Sequence, residues 1–176
     1  MDNTPINKEF YQGAMRCGTA LGAVWSIMYL LLFAGATSML SISLCLTLYI
    51  ASPFIAARYA AGYRRKECDN AMGYMQAWIF LLYMYICATL LSALVIYIYF
   101  SYIDGGAFFM TLQKMLDESM KIAGTDELMI KQIEQTKNII ENTTTSDFVW
   151  QLMNNNLLST TILPAIIAFF VKRNNK

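Results

Sequence analysis

The sequence predicts an all-α, polytopic membrane protein: four transmembrane helices, with an extramembrane helical hairpin between the third and the fourth. Three observations carry that fold class. Hydrophobic residues make up 57% of the 176-residue chain and charged residues only 14%, against about 25% charged in an average soluble domain. Mean hydropathy is +0.41. The charges are also segregated, leaving three long stretches without Asp, Glu, Lys or Arg, and unpaired charge is costly in hydrocarbon.

The spans follow from those stretches. Cys17 to Ala57 is 41 residues without a charge. A helix needs about 20 apolar residues to cross a ~30 Å hydrocarbon core, so this stretch holds two spans, near 17–36 and 39–57. They turn at Gly35-Ala36-Thr37-Ser38, where a Gly followed by small and hydroxylated residues suits a tight connection. The apolar run after Arg16 exceeds the ~7–15 residues of a signal-peptide core, and a second span follows at once, so the first helix is expected to remain uncleaved. Asn70 to Ile103, 34 residues, holds the third span near 74–102, and Phe148 to Val171, 24 residues, holds the fourth near 148–171. The whole chain, 1–176, reads as a single membrane domain.

Between the third and fourth spans lies the one sizeable extramembrane segment, 104–147. Ala107 to Ala123 predicts an amphipathic helix, with Phe108, Phe109, Leu112, Met115, Leu116 and Met120 at spacings of three and four. Lys114, Asp117, Glu118 and Lys121 take the other side. Gly124 suits the helix stop and Thr125 the next N-cap, with Asp126 and Glu127 in a first turn whose dipole favours acids. Leu128, Ile130, Ile133 and Ile140 give a second stripe up to about Asn142. The charged faces disfavour insertion, so this hairpin is expected to be a solvated cap on the bundle; the alternative is a docking surface for a membrane or periplasmic protein through 107–142. Asn142-Thr143-Thr144 also fits a glycosylation sequon.

Orientation follows from Lys and Arg in short flanking segments. Arg58, Arg64, Arg65 and Lys66 follow the second span, Lys172, Arg173 and Lys176 follow the fourth, and Lys8 and Arg16 precede the first. With four spans these share one side, the cytoplasm, so both termini are expected there. Residues 104–147 carry eight acids against four Lys and belong outside. Tyr97, Tyr99, Tyr102 and Trp150 near the outer boundary, and Tyr59, Tyr63 and Tyr74 near the inner one, fit aromatic anchoring belts.

The sequence carries few residues or motifs for chemistry. Histidine is absent, which removes the commonest proton shuttle and metal ligand. Cys17, Cys45, Cys68 and Cys87 form no C-x-x-C pair, and none lies in the outer segment. Cys68 follows Arg64-Arg65-Lys66, where nearby positive charge could lower the thiol pKa or the thiol could carry a palmitoyl-like lipid, but an inert loop thiol is the preferred reading. No G-x-S-x-G, P-loop or dinucleotide fingerprint occurs. The expectation is a protein that is not an enzyme, with no cofactor, no metal site and, at a net charge of +1, no nucleic-acid partner. A structural or accessory role is preferred. The alternative is a small-solute transporter or channel subunit, for which Pro53 and Pro164 are candidate helix kinks and Asn154-Asn155-Asn156 a polar element that would have to converge with Thr47, Thr89 or Ser92 on a water-filled cavity. Ion-coupled transport would place ionisable groups at membrane depth, and the four spans contain none.

One packing signal stands out. Ala14, Gly18, Gly22 and Ser26 repeat small residues every four positions, including a G-x-x-x-G, and small side chains let helix backbones approach closely in a bilayer. Their partner is expected within the same chain; a homodimer is the less favoured alternative.

Several ordered segments then resemble a known family: Pro53-Phe54-Ile55, Tyr63-Arg64 to Cys68, Ala77-Trp78-Ile79-Phe80, Tyr97-Ile98-Tyr99-Phe100, Ile103-Asp104-Gly105, and the apolar Ile162 to Arg173 segment ending in Val171-Lys172-Arg173. The chain is similar to a family of small four-helix inner-membrane proteins of Gram-negative bacteria, a domain of unknown function numbered 4199. The resemblance implies an inner-membrane location and the same four-helix layout. It implies no activity and no catalytic residues.

Overall fold

In the computed structural model, residues 8–35, 38–124 and 126–173 are described. Six helices follow one another: α1 Lys8–Ala34, α2 Met39–Glu67, α3 Tyr74–Ile98, α4 Ala107–Ala123, α5 Glu127–Asn142 and α6 Thr145–Val171. A π-helical turn, Tyr99–Ile103, extends α3. α1, α2, the extended α3 and α6 have 27, 29, 30 and 27 residues and are apolar enough to cross a membrane. At 1.5 Å per residue, each reaches about 40 Å or more. The fold is therefore all-α with four membrane-spanning helices, and α4 and α5 form the extramembrane pair.

The helices outrun the charge-free stretches. α1 starts at Lys8 and α2 runs on to Glu67, because charged residues end a hydrocarbon crossing without ending a helix. The turn expected at Ala36 and Thr37, and the cap expected at Thr125, lie outside the described residues. The cap that is seen is Asp126, whose carboxylate accepts from the amides of Leu128 and Met129. The helices continue through Pro53 and Pro164.

α3 is the central element, packed against α1 and α6, while α2 sits at the rim against α1 and α6. The core gathers Ala14, Leu21 and Trp25 of α1 with Ala77, Phe80, Leu81, Met84, Tyr85 and Ala88 of α3. By contrast, Leu40, Ile42, Leu44, Leu46, Ile50 and Phe54 of α2 are exposed. On a soluble protein that surface would be anomalous. On a spanning helix it meets acyl chains as apolar as itself, so leaving it uncovered costs nothing.

Candidate functional site

At the end of the bundle opposite the hairpin, the basic residues divide by environment. Arg58, Arg65, Lys66, Lys172 and Arg173 are exposed, whereas Arg64 is buried. The Arg64 guanidinium donates through Nη1 to the carbonyl of Val171, in the last turn of α6. A cation there satisfies an orphan carbonyl and complements the helix dipole. The Arg64 carbonyl accepts from the amides of Cys68 and Asn70, and Asp69 and Asn70 take the left-handed backbone that short polar residues tolerate. Met72 and Arg173 exchange two backbone hydrogen bonds, at 2.8 and 2.9 Å, clasping the α2–α3 connection to the end of α6. Arg64 thus has a structural use that charge counting does not reveal.

Cys68 follows in this connection. Burial, reinforced by Glu67 and Asp69, pushes its thiol pKa up. This accords with an inert loop thiol: desolvation and the two adjoining acids disfavour the thiolate in spite of Arg64-Arg65-Lys66.

The small-residue stripe of α1 meets α3. A β-carbon on Gly18 would lie 2.6 Å from the Met84 carbonyl oxygen and 2.8 Å from Cys87 Cβ; on Gly22 it would lie 3.0 Å from Ala88 Cα. Ala14 and Ser26 are buried on the same helix, Ser26 Oγ donating to the Gly22 carbonyl at 2.8 Å.

The α1–α2 seam is different. It holds two cavities, one of about 750 Å³ at the basic end and one of about 310 Å³ at mid-depth. Arg16, Arg58 and Lys66 line the first beside Glu9 and Glu67. Trp25, Tyr29, Tyr49, Ser52, Pro53 and Tyr85 line the second, with Asn156 entering from α6. Across the second, Trp25 Nε1 donates to Ser52 Oγ at 2.7 Å, and Asn156 Nδ2 donates to Tyr29 Oη at 2.9 Å. Each such interhelical bond contributes about 1 kcal/mol in a bilayer. The two cavities share no lining residue, and fully buried Leu21 lies between their α1 portions. Of the sequence's polar candidates only Asn156 and Pro53 reach this site. Thr47, Thr89 and Ser92 donate to carbonyls of their own helices, and Asn154 is exposed. Pro164 is fully buried on α6.

At the hairpin end, Phe100 in the π-helical turn is ringed by Phe33, Phe108, Phe109 and Phe148, with centroids 4.9 to 5.8 Å apart. Four elements meet at this ring cluster. The Asp104 carboxylate accepts from the Phe108 amide at 3.1 Å, and Gly105 and Gly106 adopt positive φ to turn the chain into α4. Beyond the cluster α4 packs on α5. Leu112, Leu116 and Met120 face inward with Ile130, Ile133 and Ile140, all half-buried, and Lys137 Nζ pairs with Asp117 at 2.9 Å. Met115 and Leu128, expected in the apolar stripes, are exposed instead, because two short helices in contact bury a narrower strip than each one's periodicity offers.

Among the described residues, no group of three or more His, Cys, Asp or Glu is placed to hold a metal ion. Four spanning helices, an uncovered apolar rim and interior interhelical hydrogen bonds define a multi-pass α-helical membrane protein associated with the lipid bilayer. The chain belongs to the family described as "Protein of unknown function (DUF4199)", whose model matches residues 16–173. No curated protein and no solved structure matches it.

Proposed function

We propose that this is a non-enzymatic accessory protein of the inner membrane that presents the α4–α5 hairpin to a protein partner on the outer side. The observation that carries the reading is the contrast within the hairpin. Its root is fixed by the aromatic cluster around Phe100, while α5 has no buried residue and Ile122, Leu128, Met129 and Ile139 stand exposed. A firmly rooted pair of helices with apolar residues set among charges is suited to docking. Both termini are cytoplasmic in this reading, supported by Arg58, Arg64, Arg65, Lys66, Lys172 and Arg173. Gly18 and Gly22 are occupied by α3, which favours an intramolecular use of that stripe over a homodimer.

Crosslinking in native membranes, with a chain lacking 107–142 as control, tests the proposal. A partner captured by the intact chain and lost from the shortened one supports it. A Cys at Thr136 should label from outside intact cells and one at Asn175 should not; the reverse reverses the orientation. The two α1–α2 cavities favour a second reading, a transporter or channel subunit. The two cavities share no lining residue, so the accessory role stands first. Solute flux in reconstituted vesicles without any captured partner would invert that order.

A further inference from the structure

The mid-depth cavity is better built than a packing defect requires. Tyr85 lines it and is buried, and among the described residues its hydroxyl has no hydrogen-bond partner. Buried tyrosine hydroxyls usually find a partner, and a bilayer supplies no free water to substitute for one. The neighbouring polar groups already serve one another: Trp25 with Ser52, and Tyr29 with Asn156. Pro53 supplies no amide hydrogen to the Tyr49 carbonyl one turn earlier, so α2 is locally weakened on the wall formed by Tyr49, Ile50 and Phe54. Ile50 and Phe54 are exposed on the lipid-facing rim, which makes that wall the entry from the bilayer. Among the described residues, no Asp, Glu, Lys or Arg lines the cavity.

We propose that this cavity binds a neutral, lipid-soluble carbonyl compound with a flat ring, its oxygen accepting the Tyr85 hydroxyl hydrogen. Aromatic walls take a flat apolar body edge-on or face-on. The absence of lining charge selects a neutral molecule, and the orphaned donor selects one with an acceptor. A volume of about 310 Å³ admits a substituted single ring. The site lies in the spans and is separate from the hairpin, so it goes beyond the docking role.

The test uses the full chain purified into lipid nanodiscs and two probes of one skeleton: duroquinone, with two carbonyl oxygens, and durene, with none. Equilibrium dialysis should show duroquinone saturating one site per chain and binding about tenfold more tightly than durene, the discrimination expected from one hydrogen bond. Tyr85→Phe should bring duroquinone down to the durene level and leave durene unchanged. That variant removes only a hydroxyl without a partner among the described residues, so it should melt no lower than the parent. Leu163→Trp, filling the cavity from α6, should abolish saturable binding of both. Duroquinone uptake no greater than in empty nanodiscs, equal affinity for the two probes, undiminished duroquinone binding by Tyr85→Phe, or persistent binding by Leu163→Trp would each overturn the proposal.

Discussion

α1 has two neighbours and meets them at different distances. Towards α3 it offers Gly18 and Gly22, and the backbones close until a methyl added at Gly18 collides and one at Gly22 is tight. Towards α2 it offers Trp25, Met28 and Tyr29, and the seam stays open over about 310 Å³. Lipid tails are as apolar as leucine, so hydrophobicity does not decide which seam closes. Side-chain size does. The closed seam sets the architecture, and the open one, beside a proline, leaves room for a ligand.

The sharpest way to break this comparison is to add bulk to the closed seam. Gly18→Leu should prevent assembly, read as loss of the monodisperse peak in detergent. Gly18→Ala should destabilise by about 3 kcal/mol, the upper end for overpacking, because the added carbon meets a backbone carbonyl at 2.6 Å. Gly22→Leu should fail as Gly18→Leu does. Gly22→Ala should be near neutral, since its 3.0 Å contact is offset by the ~1 kcal/mol that alanine gains over glycine in a helix. Equal melting of the two alanine variants would mean that the seam relaxes as a whole.

A second test turns to the aromatic hub. Phe100→Ala should cost about 3 kcal/mol, felt chiefly at the root of the hairpin. Limited proteolysis within 107–142 should accelerate well before the spans lose their helical signal. If cleavage is unchanged, the α4–α5 contact alone holds the hairpin in place.

Arg64 offers an intermediate effect at the other end. Arg64→Met keeps much of the apolar stem and removes the donor to Val171, at a cost of about 1–3 kcal/mol. Hydrogen exchange should quicken at Met72 and Arg173, whose paired amides depend on the position of the α6 terminus. Arg64→Lys should restore part of the protection, because an ammonium is also a donor. Unaltered exchange in Arg64→Met would leave the Met72–Arg173 pair as a sufficient clasp.

Much of this architecture was legible in the sequence. Charge-free runs delimit the four spans because a bilayer penalises charge wherever it occurs along the helix, and the bounds of α4 emerge from apolar spacing and Gly124. The π-helical turn at Tyr99–Ile103 was not legible: one extra residue in a turn leaves no mark on hydrophobic periodicity, yet it is where Phe100 enters its ring of partners. The interior site was only half legible. Pro53 and Asn156 stand out as a proline and an amide in apolar surroundings. Tyr85 does not, because its consequence lies in a missing partner, a property of three-dimensional neighbours. Arg64 shares a tripeptide with Arg65 and Lys66, and only the approach of α6 separates its use from theirs.

The smallest effect is expected at the Lys137–Asp117 pair, which separates what positions the hairpin from what decorates it. The hydrogen bond and charge of Asp117 hold the Lys137 ammonium above its ordinary pKa of 10.5. A group raised on folding stabilises fully below its unfolded pKa and loses that contribution as pH rises through the folded value. The pair should therefore be intact from pH 6 to 9 and weaken only above about pH 10.5. Spin labels on Ser119→Cys and Thr136→Cys, in a chain whose four native cysteines are replaced, would report the α4–α5 separation. The distance distribution should broaden slightly above pH 10.5 or at 1 M salt, where the Debye length is about 3 Å. Lys137→Met should show that slight broadening at every pH and salt concentration. It should remain slight because exposed ion pairs are weak against water, leaving Leu112, Leu116, Ile130 and Ile133 to keep the helices together. A large separation in Lys137→Met at pH 7 would make the ion pair, and not the apolar strip, what closes the hairpin.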